Sequence, residues 1–333
     1  MEPFFLGYLL IPLGYTSALA ALSASAERAL VRGQPEKAVR LLSWARKAPF
    51  LATYRSMCDV NLITAAYALE NYELVEEVWQ DLEPKLESLR PYAGSALASY
   101  GATLIGRGRY REAEHLLRSP VQDPKPNQRA DNVTVLCRAF CRANLCSALI
   151  NQGRLEEARE GLDTVGEEAA GSPLLSSLVT FLRAYLYYLD GDLDASRHVA
   201  TQIDFSHLPL LYRTELRYHY ATLLARCEDP QAAETVVSGV SWDTSSHRKL
   251  IRLRTLAKAE IASAQGDLQT ALSYFKDLRA LGHPGALGYL RAAALAKRLQ
   301  DEHLRTEFLY TAIELDPESH WATVAGKKLD NAG

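Results

Sequence analysis

Small and apolar side chains recur along this chain at a fixed spacing around a glycine. Ala26 stands seven residues before Gly33, and Ala38 stands five residues after it. A glycine ends a helix by accepting a left-handed conformation, and small residues let two helix backbones approach closely. The pattern therefore predicts helix hairpins. The same spacing returns in the stretches GATLIGRGRYREA, CSALINQGRLEEA, AYLYYLDGDLDAS and AEIASAQGDLQTA.

Three further copies keep the frame without the glycine. Their marker residues, which occupy the position of the glycine, are Glu70, Glu228 and Gln300. Because one hairpin cannot bury its apolar face alone, successive hairpins are expected to stack, each against its neighbours. The eight markers lie roughly 34 to 45 residues apart. They are Gly33, Glu70, Gly108, Gly153, Gly191, Glu228, Gly266 and Gln300.

This arrangement resembles the tetratricopeptide repeat (TPR), a helix hairpin of about 34 residues. The resemblance covers almost the whole chain. It implies an all-α fold, namely a right-handed α-solenoid of about eight TPR-like hairpins with an apolar N-terminal helix. Two features depart from the family: most units are a few residues longer than the standard repeat, and tryptophan is absent from its usual first-helix position.

Prolines divide the predicted array. Pro120, Pro124 and Pro126 cannot continue a helix and predict a loop. The expected segments are an apolar N-terminal segment (1–24), an N-terminal TPR-like block (25–118), a Pro-rich loop (119–131), a C-terminal TPR-like block (132–317), and a capping helix with a tail (318–333).

The N-terminal stretch contains no charged residue from Pro3 to Ala26. A membrane-spanning helix needs about 20 apolar residues. Since Arg28 and Arg32 follow the stretch and no Lys or Arg precedes it, a span would place the repeats in the cytoplasm. We therefore expect a single-pass membrane protein that contacts the membrane through residues 4–22. The alternative is a soluble cytoplasmic protein whose first helix packs on the repeats.

Composition and charge narrow the possible partners and chemistry. The net charge is −3, which disfavours nucleic acid. The five cysteines form no CxxC pair, and the eight histidines form no HExxH motif. Cys137, Cys141 and Cys146 are expected to pack in the core of one hairpin. We therefore predict no catalytic residue, metal or cofactor, although dispersed residues could still form an active site.

One basic run stands out in the C-terminal half. It contains Arg248, Lys249, Arg252, Arg254 and Lys258. These residues spread around their predicted helix, so a solvated face is favoured. A contact with an acidic partner or with lipid headgroups is the alternative.

The TPR resemblance implies that the first helix of each hairpin lines a groove that binds peptides. Carried to this chain, it places Phe140, Phe181, Tyr185, Tyr188 and Tyr218 on that lining. The Lys/Asn/Arg set by which some TPR chaperone adaptors bind a C-terminal carboxylate is missing there, so that ligand class is disfavoured. An apolar helix or extended segment is the expected partner. Alternatively, these side chains pack within a tightly wound superhelix.

These observations predict a non-enzymatic TPR scaffold that binds a partner protein in its groove and is tethered to the cytoplasmic face of a membrane. The alternative is a soluble regulatory or assembly-chaperone TPR module with the N-terminal helix packed on the array.

Overall fold

The protein is all-α, as the repeat pattern predicts. The computed structural model describes residues 20–47, 52–89, 93–122, 132–241, 247–281, 285–315 and 317–330, and these ranges contain no β-strand. Two short 3-10 segments occur at Glu83–Leu89 and Ala169–Gly171. The α-helices are α1 (20–31), α2 (Pro35–Arg46), α3 (Ala52–Ala68), α4 (Tyr72–Leu82), α5 (Ala93–Gly106), α6 (Tyr110–Gln122), α7 (Asn132–Asn151), α8 (Leu155–Glu168), α9 (Pro173–Leu189), α10 (Leu193–Ala200), α11 (Leu210–Arg226), α12 (Pro230–Ser238), α13 (Arg248–Ala264), α14 (Leu268–Leu281), α15 (Gly285–Arg298), α16 (Glu302–Leu315) and α17 (His320–Asp330).

Every marker residue occupies the left-handed region that ends a helix. The eight φ angles range from 55° at Glu70 to 83° at Gly191 and Gly266. At Gly153, the glycine N–H donates to the Ile150 carbonyl at 3.0 Å, and the next N–H donates to the Leu149 carbonyl at 2.9 Å. The same pair of bonds closes all eight turns. This Schellman geometry satisfies the carbonyls that the helix end would otherwise leave unpaired.

The residue after the marker often starts the second helix. At five turns, its side chain accepts a hydrogen bond from the backbone N–H three residues later. Such an N-cap contributes about 1 kcal/mol of stability. Two consecutive residues thus end one helix and begin the next. The five caps are Asn71, Asp192, Asp229, Asp267 and Asp301.

Small residues lie where helices approach most closely. A Cβ atom placed on Gly101 of α5 would lie 2.6 Å from the Leu117 side chain of α6. A Cβ atom on Gly161 of α8 would lie 2.6 Å from the Cys146 sulfur of α7. The close helix packing therefore favours glycine at these positions, because every other residue carries a Cβ atom.

Contacts divide the chain into two compact units. One unit is Met1–Tyr100 with Pro209–Leu211, and the other is Gly101–Leu208 with Tyr212–Gly333. In the first unit, α3 packs against α2 and α4. In the second unit, α13 to α17 pack each on the next, and α17 also contacts α15.

The prediction of a membrane span is wrong. Among the described residues, no helix is both long and apolar enough to cross a bilayer. Residues 1–19 lie outside the described residues, and 20–26 belong to α1. Helix α1 carries charged Glu27 and Arg28 directly after this stretch. It buries Ala26 completely, and its Ser23 hydroxyl accepts a hydrogen bond from the Asn61 amide of α3 at 3.5 Å.

The Pro-rich loop begins later than its prediction at residue 119. Helix α6 continues through Pro120 to Gln122. Because Pro120 lies in the last turn of α6, its missing N–H affects only the final hydrogen bonds of the helix. The remainder of the predicted loop, 123–131, lies outside the described residues.

Replacing glycine by alanine should destabilise the protein at a marker turn and stabilise it within a helix. At Gly191 and Gly266, an added Cβ would meet nothing within 4 Å, so replacement by Ala tests the left-handed backbone alone. We expect Gly191→Ala and Gly266→Ala each to lower the free energy of unfolding by about 1–2 kcal/mol. Thermal unfolding followed by circular dichroism measures the change.

Gly326 provides the matched control. It lies within α17, and an added Cβ there also meets nothing within 4 Å. Its φ is not positive, so Gly326→Ala should stabilise the protein by about 0.5–1 kcal/mol. Equal effects of the three substitutions would contradict the role of the marker turns.

Candidate functional site

The structure places the five predicted lining residues in two environments. Phe140, Phe181, Tyr185 and Tyr188 are half-buried, whereas Tyr218 is 2% exposed and belongs to the core. Tyr218 therefore contributes packing and no accessible surface. Phe140 lies on α7 and takes no part in the cluster that the other three form.

Three aromatic rings line one face of α9. Phe181 and Tyr185 are stacked with their ring centroids 6.2 Å apart, and Tyr185 and Tyr188 are stacked at 5.9 Å. Residues spaced by four and three positions share one side of a helix, which explains the row. The three rings therefore pack against one another within the chain itself.

A buried carboxylate joins the next three first helices. Glu260 of α13 is completely buried. Its Oε1 accepts a hydrogen bond from Arg226 Nε of α11 at 3.0 Å, and its Oε2 accepts one from Arg291 Nε of α15 at 2.5 Å. The Arg226 side chain is 7% exposed and the Arg291 side chain is 30% exposed. One carboxylate thus lies between two guanidinium groups.

The buried carboxylate and the aromatic row form one surface. Arg291 Nη1 donates to the Tyr188 hydroxyl at 3.4 Å, although 103 residues separate them in sequence. Burial raises the pKa of Tyr185, and the nearby Arg226 guanidinium offsets this only in part. Side chains from α9, α11, α13 and α15 therefore converge. We call this surface the aromatic–arginine patch, which consists of Phe181, Tyr185, Tyr188, Arg226, Glu260 and Arg291.

A second ion pair adjoins the patch. Lys249 Nζ of α13 lies 2.6 Å from Glu215 Oε1 of α11. The ring of His219 lies 5.7 Å from the ring of Phe181, and burial lowers the pKa of His219 to about 4. Burial raises the pKa of Glu215, but the positive charges around the carboxylate, Lys249 foremost, together lower it by more, so the net shift is downward. Near neutral pH, Glu215 is therefore ionised and His219 is neutral.

The basic run of α13 does not act as one surface. Arg248 Nε donates to the Leu281 carbonyl at 3.0 Å, at the C-terminal end of α14, which is a structural role. Lys249 pairs with Glu215, and Arg252 lies near enough to Glu215 to lower its pKa. Two members of the run therefore join the groups beside the patch.

Sequence reasoning missed the charged members of the patch. The five lining residues that it predicts are all aromatic, and the last of them, Tyr218, lies on α11, one hairpin before Glu260. Glu260 stands at the same repeat position as Tyr185, six residues before its marker glycine. Extending that register by one hairpin would have indicated Glu260, which is also a carboxylate within the alanine-rich stretch AKAEIASA.

All five cysteines are free thiols, of which four are buried and Cys137 is half-buried. Burial raises the pKa of Cys141 and of Cys146 to about 12 in each case. A thiol with such a pKa is a poor nucleophile at neutral pH, because the thiolate is the reactive form. In the described part of the chain, no three His, Cys, Asp or Glu residues are grouped to hold a metal ion.

Comparison with known proteins finds no protein-family model that matches the chain and no curated protein that matches it significantly. The residues and their geometry are therefore the grounds for assigning a function.

Protonation of His219 should lower the stability of the fold in acid. Its pKa is lowered on folding from 6.5, so the unfolded chain binds its proton first as the pH falls. The stability associated with neutral His219 is present above pH 6.5 and is lost between about pH 6.5 and pH 4. The pKa of Glu215 lies below its ordinary value of 4.5, so that carboxylate stays ionised in the upper part of this window.

We expect His219→Gln to reduce the loss of unfolding free energy between pH 7.5 and pH 5 by about 1 kcal/mol. Thermal unfolding at several pH values measures this difference. His115→Gln, at an exposed position on α6, is the control substitution. The same acid destabilisation in wild type and His219→Gln would contradict the buried, neutral imidazole.

Proposed function

We propose that this chain is a non-enzymatic, TPR-like module that binds a partner protein and acts in its regulation or assembly. The observation that carries the proposal is the set of eight left-handed turns, each closed by the same two hydrogen bonds. Their spacing, near the TPR length, supports a right-handed solenoid of about eight hairpins. In such arrays, the repeated first helices form an extended binding surface.

The aromatic–arginine patch is the binding surface that we assign. Its members come from four consecutive first helices, α9, α11, α13 and α15. Stacked rings and paired arginines have lost much of their rotamer freedom already, so a partner does not need to order them. Fully burying one aromatic side chain contributes about 1.5–3 kcal/mol. Half-buried rings retain part of this energy for binding.

Binding fits the residues of this site better than catalysis does. The buried thiols have high pKa values, and the Glu260 carboxylate is engaged by two arginines. A general base needs an oxygen within hydrogen-bonding reach of the substrate. Both oxygens of Glu260 are already committed to arginine.

The N-terminal region supports the regulatory or assembly reading without a membrane tether. Helix α1 buries Ala26 and Ala29 and is hydrogen-bonded through Ser23 to α3. The described part of the N-terminal stretch thus belongs to the helix packing of its own unit.

Site-specific photo-crosslinking tests the proposed binding surface. A photoreactive phenylalanine at position 188 should form an adduct with a partner protein in cells that express the chain. The same group at Tyr310 of α16, which is 56% exposed, serves as the control. We expect a discrete adduct at 188 that the control position does not form.

Mass spectrometry of the crosslinked product distinguishes the possible results. A peptide of another protein joined to position 188 supports the assignment. Crosslinks from 188 only to residues of the same chain would show that the patch is internal packing, and the proposed binding surface would be wrong.

A further inference from the structure

The aromatic–arginine patch carries more positive than negative charge. Arg226 and Arg291 both donate to a single carboxylate, that of Glu260. The nearby His219 adds no charge at neutral pH, because burial keeps its pKa low. One positive charge of the patch is therefore not balanced by Glu260, although the whole chain carries −3. A local field of this sign attracts an anionic ligand.

The more exposed arginine of the patch, Arg291, lies beside a hydroxyl group that can donate. Arg291 uses Nε for Glu260 and Nη1 for the Tyr188 oxygen. Since that oxygen accepts from Arg291, its own hydrogen is left to donate, and no acceptor for it occurs among the described residues. A carboxylate that approaches Arg291 would therefore meet a guanidinium and a hydroxyl donor together. Hydrogen bonds between charged partners are roughly twice as strong as neutral ones.

The neighbouring rings indicate what surrounds the anionic group. Phe181 and Tyr185 extend the surface along α9 with apolar area. The rings are nearly parallel to their neighbours, at interplanar angles of 7° and 19°, and are offset along the helix. Proteins that bind single-stranded nucleic acid combine such rings with a positively charged groove that follows the phosphates, whereas here two arginines share one carboxylate. A protein segment fits these properties better than a nucleic acid does.

We propose that the aromatic–arginine patch binds an acidic, apolar-rich protein segment, one side-chain carboxylate of which contacts Arg291 and the Tyr188 hydroxyl. This inference rests on the proposed protein-binding function and specifies the chemistry of the partner. It concerns an internal acidic side chain and does not require a free C-terminus.

Fluorescence anisotropy with the full chain tests the proposal. The probes are labelled twelve-residue peptides that alternate Glu with Leu or Phe, the same peptides with Gln for Glu, and a twelve-nucleotide oligouridylate. We expect the Glu peptide to bind at least about tenfold more tightly than the Gln peptide. Its affinity should fall as salt rises from 50 to 300 mM, since salt screens exposed charges.

Two substitutions locate the contact. Arg291→Gln should weaken binding of the Glu peptide about tenfold. Tyr188→Phe keeps the ring and removes the hydroxyl, and should weaken the Glu peptide about threefold while leaving the Gln peptide unchanged. Arg279→Gln, at an exposed arginine paired with Glu307 on the neighbouring helix, is the control and should have no effect. Circular dichroism confirms that each variant is folded.

Four other results would contradict the inference, and each leads to a different conclusion. Equal affinity for the Glu and Gln peptides would show that the patch does not select acidic segments, and it would not contradict the proposed protein-binding function. If the Glu peptide binds tightly and neither patch substitution weakens it, the peptide binds somewhere other than the aromatic–arginine patch. Tighter binding of the oligouridylate would assign the surface to nucleic acid. If no probe binds, the inference fails, and photo-crosslinking at position 188 decides the proposed function separately.

Discussion

The fold depends on a single residue per hairpin that turns the backbone into the left-handed region. At each of the eight markers, the positive φ lets two consecutive N–H groups bond back to the end of the first helix. At five of them, the next residue caps the second helix. The helices therefore reverse direction within three residues. Small residues near these turns, such as Gly101 against Leu117, then let the backbones pack closely.

The candidate site is a consequence of this repetition. Because each hairpin contributes its first helix in a similar register, side chains far apart in sequence meet, as Tyr188 and Arg291 do. Glu260 holds the site together, since it is completely buried between two arginines. Removing Glu260 would leave the buried Arg226 guanidinium uncompensated, and such a loss typically costs about 3–5 kcal/mol. The positions of the charged groups at this surface are therefore fixed by the buried Glu260 carboxylate.

The local parts of this structure could be predicted from the sequence, because short-range chemistry sets them. The turn at Gly153 follows from glycine and its spacing, and the turn at Glu228 follows from the repeat frame even without glycine. The aromatic row on α9 follows from residues four and three positions apart. In contrast, the exposure of Tyr218 depends on how deeply neighbouring helices pack, and its position in the register does not determine that. The meeting of Arg226, Glu260 and Arg291 depends on the angles between successive hairpins, which no single hairpin specifies.

A double-mutant cycle between Glu260 and Arg291 tests the central claim most directly, namely that successive hairpins stack so that their first helices share one surface. The free energy of unfolding is measured for wild type, Glu260→Gln, Arg291→Gln and the double variant. The account predicts a coupling energy of about 1–3 kcal/mol, because the two residues are in direct contact. Additive effects, with a coupling energy near zero, would contradict the convergence of these helices.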